Sequence, residues 1–214
     1  MISPWLCLLI SYFIGSIPSA FIAGKLAGID LREHGSGNLG ATNVVRVLGL
    51  KAGIAVFAAD VLKGFAPVYF LSIHANTLRP ELWAFAFGIA AIFGHVKPVF
   101  LLGKGGGKGV ATAAGVFLAL AVIPSIIAFL VWCTVFALTR YVSFASVVGA
   151  IAMPVSIFIL NPDPTSVLFW VSVLVAAFVI WKHRANIARL RRGEEHRFVK
   201  KPAIAAAENE TARR

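Results

Sequence analysis

Long apolar runs separated by short polar breaks dominate the chain. A helix needs about 20 apolar residues, each rising about 1.5 Å, to cross the hydrocarbon core of a bilayer. Runs near this length lie at residues 3–24, 52–73, 82–102, 110–139, 142–160 and 166–181. The pattern predicts an all-α, polytopic membrane protein.

Lysines and arginines gather in some of the breaks and avoid others. Four lie in the break after the first run, two in the break after the third, and ten from Lys182 to the C-terminus. The breaks after the second and fifth runs together hold one, Arg79. Because cytoplasmic loops carry the excess of basic residues, the first group is predicted in the cytoplasm and the second outside.

The run 110–139 decides the number of crossings. A single crossing would place Arg140 and the basic C-terminal segment outside, against the charge distribution. Two crossings that turn near residues 123–125 place every basic loop in the cytoplasm, with helices of only about 14–15 residues, or about 21–23 Å. We therefore predict seven transmembrane helices, two of them short, with the N-terminus outside and the C-terminus inside. A partly re-entrant pair in place of two full crossings stays open.

The composition excludes soluble and disordered chains. Of the 214 residues, 59% are hydrophobic and 14% charged, whereas soluble domains are about 45–50% apolar and about 25% charged. The net charge of +11 would suit a nucleic-acid partner, but 17 of the 20 lysines and arginines fall on the predicted cytoplasmic side, so we expect none. One membrane domain, residues 1–199, and a flexible cytoplasmic tail, residues 200–214, are predicted.

The first cytoplasmic loop has three glycines within residues 35–40, followed by Asn43 and Arg46. Backbone N–H groups in such a turn can form an anion-binding nest, and the guanidinium of Arg46 can bind phosphate in a bidentate manner. Ser36, Asn38 and Asn43 add neutral hydrogen-bonding groups. The alternative is an ordinary capped loop whose Arg46 faces lipid headgroups.

A second glycine-rich loop, residues 103–109, has five glycines with Lys104 and Lys108 and directly precedes an apolar helix. The free N–H groups and dipole of a helix N-terminus favour an anion. The loop is not a Walker A motif, because Gly109 follows Lys108 where Ser or Thr is required. A flexible turn is the alternative.

The segment after the last apolar run places His183, Asn186 and Arg189 on one helix face at a spacing of three. An interfacial histidine is the alternative for His183. Within the second span, Asp60 and Lys63 are predicted to form an ion pair or a functional site, and His95 to reach the interface. No disulfide is indicated by Cys7 and Cys133, and no residues have the spacing of a metal site.

Together these segments resemble the bacterial acyl-phosphate:glycerol-3-phosphate acyltransferase family of integral membrane enzymes. The likeness runs from Gly15 to Glu195 and depends on three signatures that are specific in combination. They are Gly35-Ser36-Gly37-Asn38 through Asn43 and Arg46, then Gly106-Gly107-Lys108-Gly109-Val110-Ala111-Thr112, and His183-x-x-Asn186-Ile187-x-Arg189-Leu190-x-x-Gly193-x-Glu195. Lesser likeness lies in Asp60-x-x-Lys63-Gly64, Gly94-His95 and Tyr141-Val142-Ser143. The second signature departs from the family in having three glycines before its lysine where the family has two.

The resemblance implies roles for the matching residues. The catalytic residues implied are Ser36, Arg46, His183 and Asn186. The substrate-binding residues implied are Gly106, Gly107, Lys108 and Gly109. Asn38, Asn43 and Lys104 are added as candidates for their polar or charged side chains, and Ser143 for its place in the lesser likeness. Glu195 is expected to be structural, and the choice between Lys104 and Lys108 as the phosphate ligand stays open.

The reaction that the resemblance implies is acyl transfer from acyl-phosphate to the sn-1 hydroxyl of glycerol 3-phosphate, which gives lysophosphatidic acid and phosphate. This is the first step of phospholipid synthesis, expected at the cytoplasmic face of the bacterial inner membrane. No cofactor, metal or obligate protein partner is expected, and the partners are the two substrates and membrane lipids. Either His183 or a substrate phosphate oxygen accepts the hydroxyl proton, and we favour the oxygen.

Two other functional classes are weighed against the enzyme. A transporter for a phosphorylated solute would suit several spans and a phosphate-binding loop, but such proteins often show internal repeats and none is evident here. A membrane scaffold with a basic tail would leave both glycine-rich loops unexplained.

Overall fold

Helices make up nearly all of the regular structure in the computed structural model, which describes residues 2–198. Their bounds are α1 Pro4–Gly15, α2 Ser19–Leu26, α3 Ala41–Leu48, α4 Leu50–Ala66, α5 Pro80–Val96, α6 Val110–Leu120, α7 Val122–Thr139, α8 Val142–Leu160, α9 Val167–Lys182 and α10 Arg184–Arg191. A π-helical turn, Pro67–Leu71, and a last turn, Ser72–His74, extend α4, and a 3₁₀ turn, Val99–Leu101, follows α5. The described residues form no β-strand beyond one isolated bridge, Ile2 to Ala75.

The lengths of the apolar helices agree with an all-α membrane protein. Five helical segments are long and apolar enough to cross a bilayer: Pro4–Leu26, Leu50–His74, Pro80–Leu101, Val122–Thr139 and Val142–Leu160. A sixth is present if Val167–Lys182 and Arg184–Arg191, which meet at 57°, are taken together. The all-helical membrane fold is thereby confirmed, whereas seven crossings and the orientation of the termini stay predictions.

The run 110–139 does divide into two helices, but the predicted turn at residues 123–125 is wrong. The break lies at Ala121, which has φ −152° and ψ 81°. Pro124 is the third residue of α7, and proline is tolerated in the first turn because the N–H groups there have no intrahelical acceptor. The helices therefore have 11 and 18 residues instead of two near-equal lengths.

Glycines allow two pairs of spans to approach within backbone contact. A methyl group on Gly15 of α1 would overlap the Ala91 carbonyl of α5, and one on Gly115 of α6 would overlap the Val61 carbonyl of α4. Small residues at helix interfaces are typical of membrane proteins, where close packing replaces the hydrophobic effect. These two contacts hold α1 against α5 and α4 against α6, and the second glycine-rich loop connects the two pairs along the chain.

The division into one domain, residues 1–199, and a tail stays a prediction. The predicted tail, residues 200–214, lies outside the described residues.

Candidate active site

Asn43 orders the loop that precedes α3. Its side chain is 1% exposed. The amide oxygen accepts a hydrogen bond from the Ser36 N–H (2.8 Å), and the amide nitrogen donates to the carbonyls of Leu31 (3.1 Å) and His34 (3.0 Å). Asn43 thus has no free donor for a ligand, while Ser36 is held at the exposed surface of the loop and Asn38 is half-buried within it.

The second loop lies flat against the end of α5. Gly103, Gly105 and Gly109 have φ of 72°, 72° and 83°, a backbone conformation that residues with a Cβ adopt at a cost. Gly106 and Gly107 have no room for a Cβ, because methyl groups there would overlap the Val96 carbonyl and the His95 ring, respectively. The glycines therefore bring the backbone close to α5 and direct it into the first turn of α6.

The two lysines of this loop have different surroundings. Lys104 is exposed, whereas Lys108 is partly buried and donates a hydrogen bond of 2.5 Å to the Asn186 side-chain oxygen. Burial lowers the pKa of Lys108 to about 8, and the nearby cations Arg189 and Arg46 add to the effect, against the attraction of Glu195. The pKa of Lys108 is therefore close to physiological pH, and two further cations lie near its side chain.

Glu195 joins the segment after α9 to the start of α8. Its carboxylate accepts hydrogen bonds from Ser143 Oγ (2.8 Å), Asn186 Nδ2 (2.7 Å) and Arg189 Nε (2.8 Å). Burial alone would raise the pKa of Glu195, but these three donors outweigh it and hold the pKa below its ordinary value. Glu195 is therefore ionised and anchors the segment after α9. The Ser143 hydroxyl donates its hydrogen bond to Glu195, so that donor is not available to a ligand.

His183 follows the last residue of α9 and is 3% exposed. Its Nδ1 lies 2.7 Å from the Val179 carbonyl, which can only accept, so Nδ1 carries the proton and Nε2 has a free lone pair. Burial, with the adjacent charge of Lys108, lowers the pKa of His183 to about 4. The imidazole is therefore neutral at physiological pH.

Arg46, on α3, is the third cation near Glu195, together with Lys108 and Arg189. Its guanidinium donates to the His196 carbonyl at 3.4 Å. Burial lowers the pKa of Arg46, and Glu195 and Arg189 act on it from nearby. Arg46, Lys108 and Arg189 form a cationic cluster near the ionised carboxylate of Glu195, which contacts Arg189 directly. The three positive charges exceed the one negative charge of Glu195.

The structure therefore brings the three sequence signatures together at one end of the bundle, although they lie up to 150 residues apart. Arg189 was not among the predicted site residues, and its spacing of three from Asn186 was the signal that could have added it. The expectation that His95 reaches the interface is wrong, because its ring is buried beneath the second loop.

An apolar groove of about 330 Å³ begins beside this cluster. It lies among α4, α6, α7, α8 and α9, with Val110, Ala111 and Val179 at the end near the cluster and Ser125, Ile126 and Met153 at the far end. Along α6 its wall runs from Val110 to Leu118, about 12 Å by the helix rise. Lys108 is two residues from Val110, so the cationic cluster adjoins the mouth of the groove.

A cationic cluster at the mouth of an apolar groove, built on membrane-spanning helices, defines a class: integral membrane proteins that hold an anionic group next to a long apolar one. Comparison with known proteins narrows the class. The family model described as Glycerol-3-phosphate acyltransferase matches residues 5–193, and the chain belongs to this family.

Relatives and solved structures match most of the chain. The Glycerol-3-phosphate acyltransferase of Aquifex aeolicus is 44% identical over 189 residues, which cover 88% of this chain and 95% of that protein. The protein of that name from Geobacter metallireducens is 48% identical over 188 residues, 88% of this chain and 94% of its own. A crystal structure of PlsY, an integral membrane glycerol 3-phosphate acyltransferase in its glycerol 3-phosphate form, is 41% identical with a TM-score of 0.84 and covers 92% of this chain and 96% of its own.

Proposed function

We propose that the protein transfers a fatty acyl group from acyl-phosphate to the sn-1 hydroxyl of glycerol 3-phosphate, with lysophosphatidic acid and inorganic phosphate as products. The observation that carries the proposal is the position of Arg46 and Lys108 beside the mouth of the apolar groove. An acyl-phosphate joins an anionic group directly to a long apolar chain, and this arrangement suits both parts. Family membership supports the acceptor, since relatives bear the name Glycerol-3-phosphate acyltransferase.

The cationic cluster is proposed to bind the phosphate groups. Lys108 and Arg46 supply charge-assisted hydrogen bonds, and the glycine-rich loop adds backbone N–H groups at the N-terminus of α6. Lys108 is proposed over Lys104 because Lys104 is exposed, whereas Lys108 lies among Arg46, Asn186 and Glu195. Two phosphorylated substrates repel each other, and fixed cations offset that repulsion before the reaction begins.

The acyl chain is proposed to occupy the groove, with its reactive carbonyl at the mouth. The sn-1 hydroxyl oxygen attacks the acyl carbonyl carbon and forms the new ester bond. The bond between that carbon and the phosphate oxygen breaks, and the phosphate leaves with the electron pair. Because phosphate is already a good leaving group, no covalent intermediate on the protein is required.

The hydroxyl proton is proposed to move to a phosphate oxygen of a substrate. His183 offers Nε2, but with a pKa of about 4 it is a weak base. A phosphate monoester has a second pKa of about 6 and takes up a proton more readily. His183 and Asn186 are then proposed to orient the substrates, with Ser36 adding a hydroxyl from the first loop, while Glu195 and Ser143 hold the segment in place.

The site is proposed to face the cytoplasm of a bacterial inner membrane. Seven crossings, in which α6 and α7 are the two crossings of the fourth run, place the basic loops on one side with the N-terminus outside. Both glycine-rich loops and the segment after α9 then share the side on which soluble glycerol 3-phosphate is available.

The test uses the full chain, purified in detergent and supplied with palmitoyl phosphate and radiolabelled glycerol 3-phosphate. We expect lysophosphatidic acid to form without any added protein, and Lys108→Met to abolish it with Lys104→Met as the matched control. A parallel reaction with acyl-CoA identifies the donor. Product from acyl-CoA alone would overturn the proposed donor, and no product from either would overturn the proposed reaction.

A further inference from the structure

Three ionisable side chains lie together inside the bundle, beneath the second glycine-rich loop. Asp60 and Lys63 of α4 are 2% and 6% exposed, and His95 of α5 is 7% exposed. Lys63 Nζ lies 2.7 Å from Asp60 Oδ1 and donates to the Ile17 carbonyl at 2.8 Å. Charges at such depth are costly unless paired, and these two satisfy each other. His95 is the third ionisable side chain, and the ion pair of Asp60 and Lys63 does not explain why a histidine is buried beside it.

One side of the His95 ring faces a small polar cavity. His95 Nδ1 is 3.7 Å from Asp60 Oδ1, beyond a direct hydrogen bond. Within residues 2–198, neither His95 Nδ1 nor the buried Ser16 Oγ has a hydrogen-bonding partner, and Asp60 Oδ1 is paired with Lys63. All three residues line a cavity of about 10 Å³. That volume is about one water molecule, and a buried water requires two to four polar partners.

The other side of the ring supports the glycine-rich loop. A methyl group on Gly107 would overlap His95 Nε2 and would lie 2.8 Å from the Leu39 carbonyl of the first loop. The ring therefore sets how closely Gly107 approaches α5, and Gly107 is the residue directly before Lys108. A change in the position of His95 displaces the ammonium group that the cationic cluster depends on.

We propose that His95, linked to Asp60 and Ser16 through one buried water, is a positioning residue that fixes the glycine-rich loop and Lys108 for phosphate binding. The ring contacts the backbone of the loop from beneath and acts through Lys108, not on the reacting atoms. Lys63 fixes Asp60 through the ion pair, and Asp60 holds the His95 ring through the water. This inference rests on the proposed role of the loop in binding the phosphate of glycerol 3-phosphate.

The first test separates substrate binding from turnover. His95→Phe retains a ring of similar size without polar atoms, and His95→Asn retains a polar atom close to the position of Nδ1, which faces the cavity. We expect His95→Phe to raise KM for glycerol 3-phosphate about tenfold, the effect of losing one buried hydrogen bond, with kcat within about twofold of the wild type. His95→Asn should recover part of that loss. A ring that serves only to fill space would leave KM unchanged in His95→Phe.

A pair of buried serines gives a matched control that does not depend on the ring. Ser16 borders the cavity, whereas Ser11, also fully buried, donates to the Cys7 carbonyl away from it. We expect Ser16→Ala to raise KM for glycerol 3-phosphate about threefold, because one of the three partners of the water is lost, and Ser11→Ala to leave it unchanged. Equal KM values for the two serine variants would overturn the water link.

Binding of inorganic phosphate, followed by the rise in Tm of the full chain, tests the inference without turnover. A ligand that binds only the folded state raises Tm. We expect His95→Phe to require about tenfold more phosphate than the wild type for the same rise in Tm, because its loop is displaced. Identical phosphate titrations for the wild type and His95→Phe would overturn the positioning role. An inactive wild type that still shows the difference would overturn the proposed reaction and leave the positioning role standing.

Discussion

Lys108 makes the affinity of the protein for phosphate depend on pH in a range that is easily measured. Burial disfavours the charged ammonium group, and the pKa falls to about 8. The ammonium group is therefore mostly charged below pH 8 and mostly neutral above it, whereas an ordinary lysine is still charged at pH 9. Loss of that charge removes one attraction for phosphate and leaves those of Arg46 and the N–H groups of the loop.

The size of the effect follows from the titration. At pH 7 about nine-tenths of the free protein carries the charge, and at pH 9 about one-tenth does. We expect kcat/KM for glycerol 3-phosphate to fall about tenfold between these values, with a slope approaching one decade per pH unit. A bound phosphate dianion stabilises the ammonium group, so the corresponding fall in kcat moves to higher pH.

The assay follows lysophosphatidic acid at pH 6.5–9.5 with the donor held saturating. Above pH 7 the phosphate of glycerol 3-phosphate is already a dianion, with a second pKa of about 6, so it adds no change of its own there. Lys108→Arg is the matched variant, because its guanidinium stays charged throughout. An unchanged kcat/KM up to pH 9.5 in the wild type, or the same fall in Lys108→Arg, would refute the reasoning.

Three further predictions concern the proton, the acyl chain and the anchor of the site. His183→Ala should lower kcat less than Arg46→Ala, which we expect to cost about 10- to 100-fold, because a neutral imidazole is lost in one case and a charged donor in the other. Ala114→Phe, at an exposed position on the groove wall, should shift the preferred donor to shorter chains, with about fourfold lost in kcat/KM for each displaced methylene. Glu195→Gln should lower Tm by several degrees because it breaks a partly buried ion pair, whereas Glu194→Gln, at an exposed pair, should change it little.

Each of these has a contrary outcome that is easy to recognise. Abolished turnover in His183→Ala with unchanged substrate affinity would make the imidazole the base. A chain-length profile that moves equally in Leu174→Phe, which is exposed and outside the groove wall, would mean that the groove does not hold the chain. Equal changes in Tm for the two glutamate variants would remove the anchoring role of Glu195.

The spans were predictable because each apolar run is long and its polar breaks are sharp. The break within 110–139 was misplaced by a few residues, because Pro124 lies in the first turn of α7, which accepts proline, and the chain breaks at Ala121 instead. His95 was misjudged for a related reason. Its place near the end of a span suggested the interface, but glycines at 106 and 107 let the next loop cover it.

The chemistry of the site was predictable as a set of residues but not as a set of contacts. Lys104 and Lys108 have similar neighbours in sequence, and only the fold shows that Lys108 meets Asn186. Asn43 and Ser143 are typical ligand-binding types, yet their hydrogen bonds go to the first loop and to Glu195. Such choices depend on partners far away along the chain, about which the local pattern carries no information.

The unequal lengths of α6 and α7 limit the part of the groove that lies next to the cationic cluster. α6 has 11 residues and rises about 16 Å, whereas α7 has 18 residues and rises about 27 Å. Only α6 begins at the second glycine-rich loop, so the groove wall that starts beside Lys108 is the shorter of the two. In the proposed reaction, an acyl chain that lies along α6 therefore has at most about 16 Å of helix beside it before the break at Ala121.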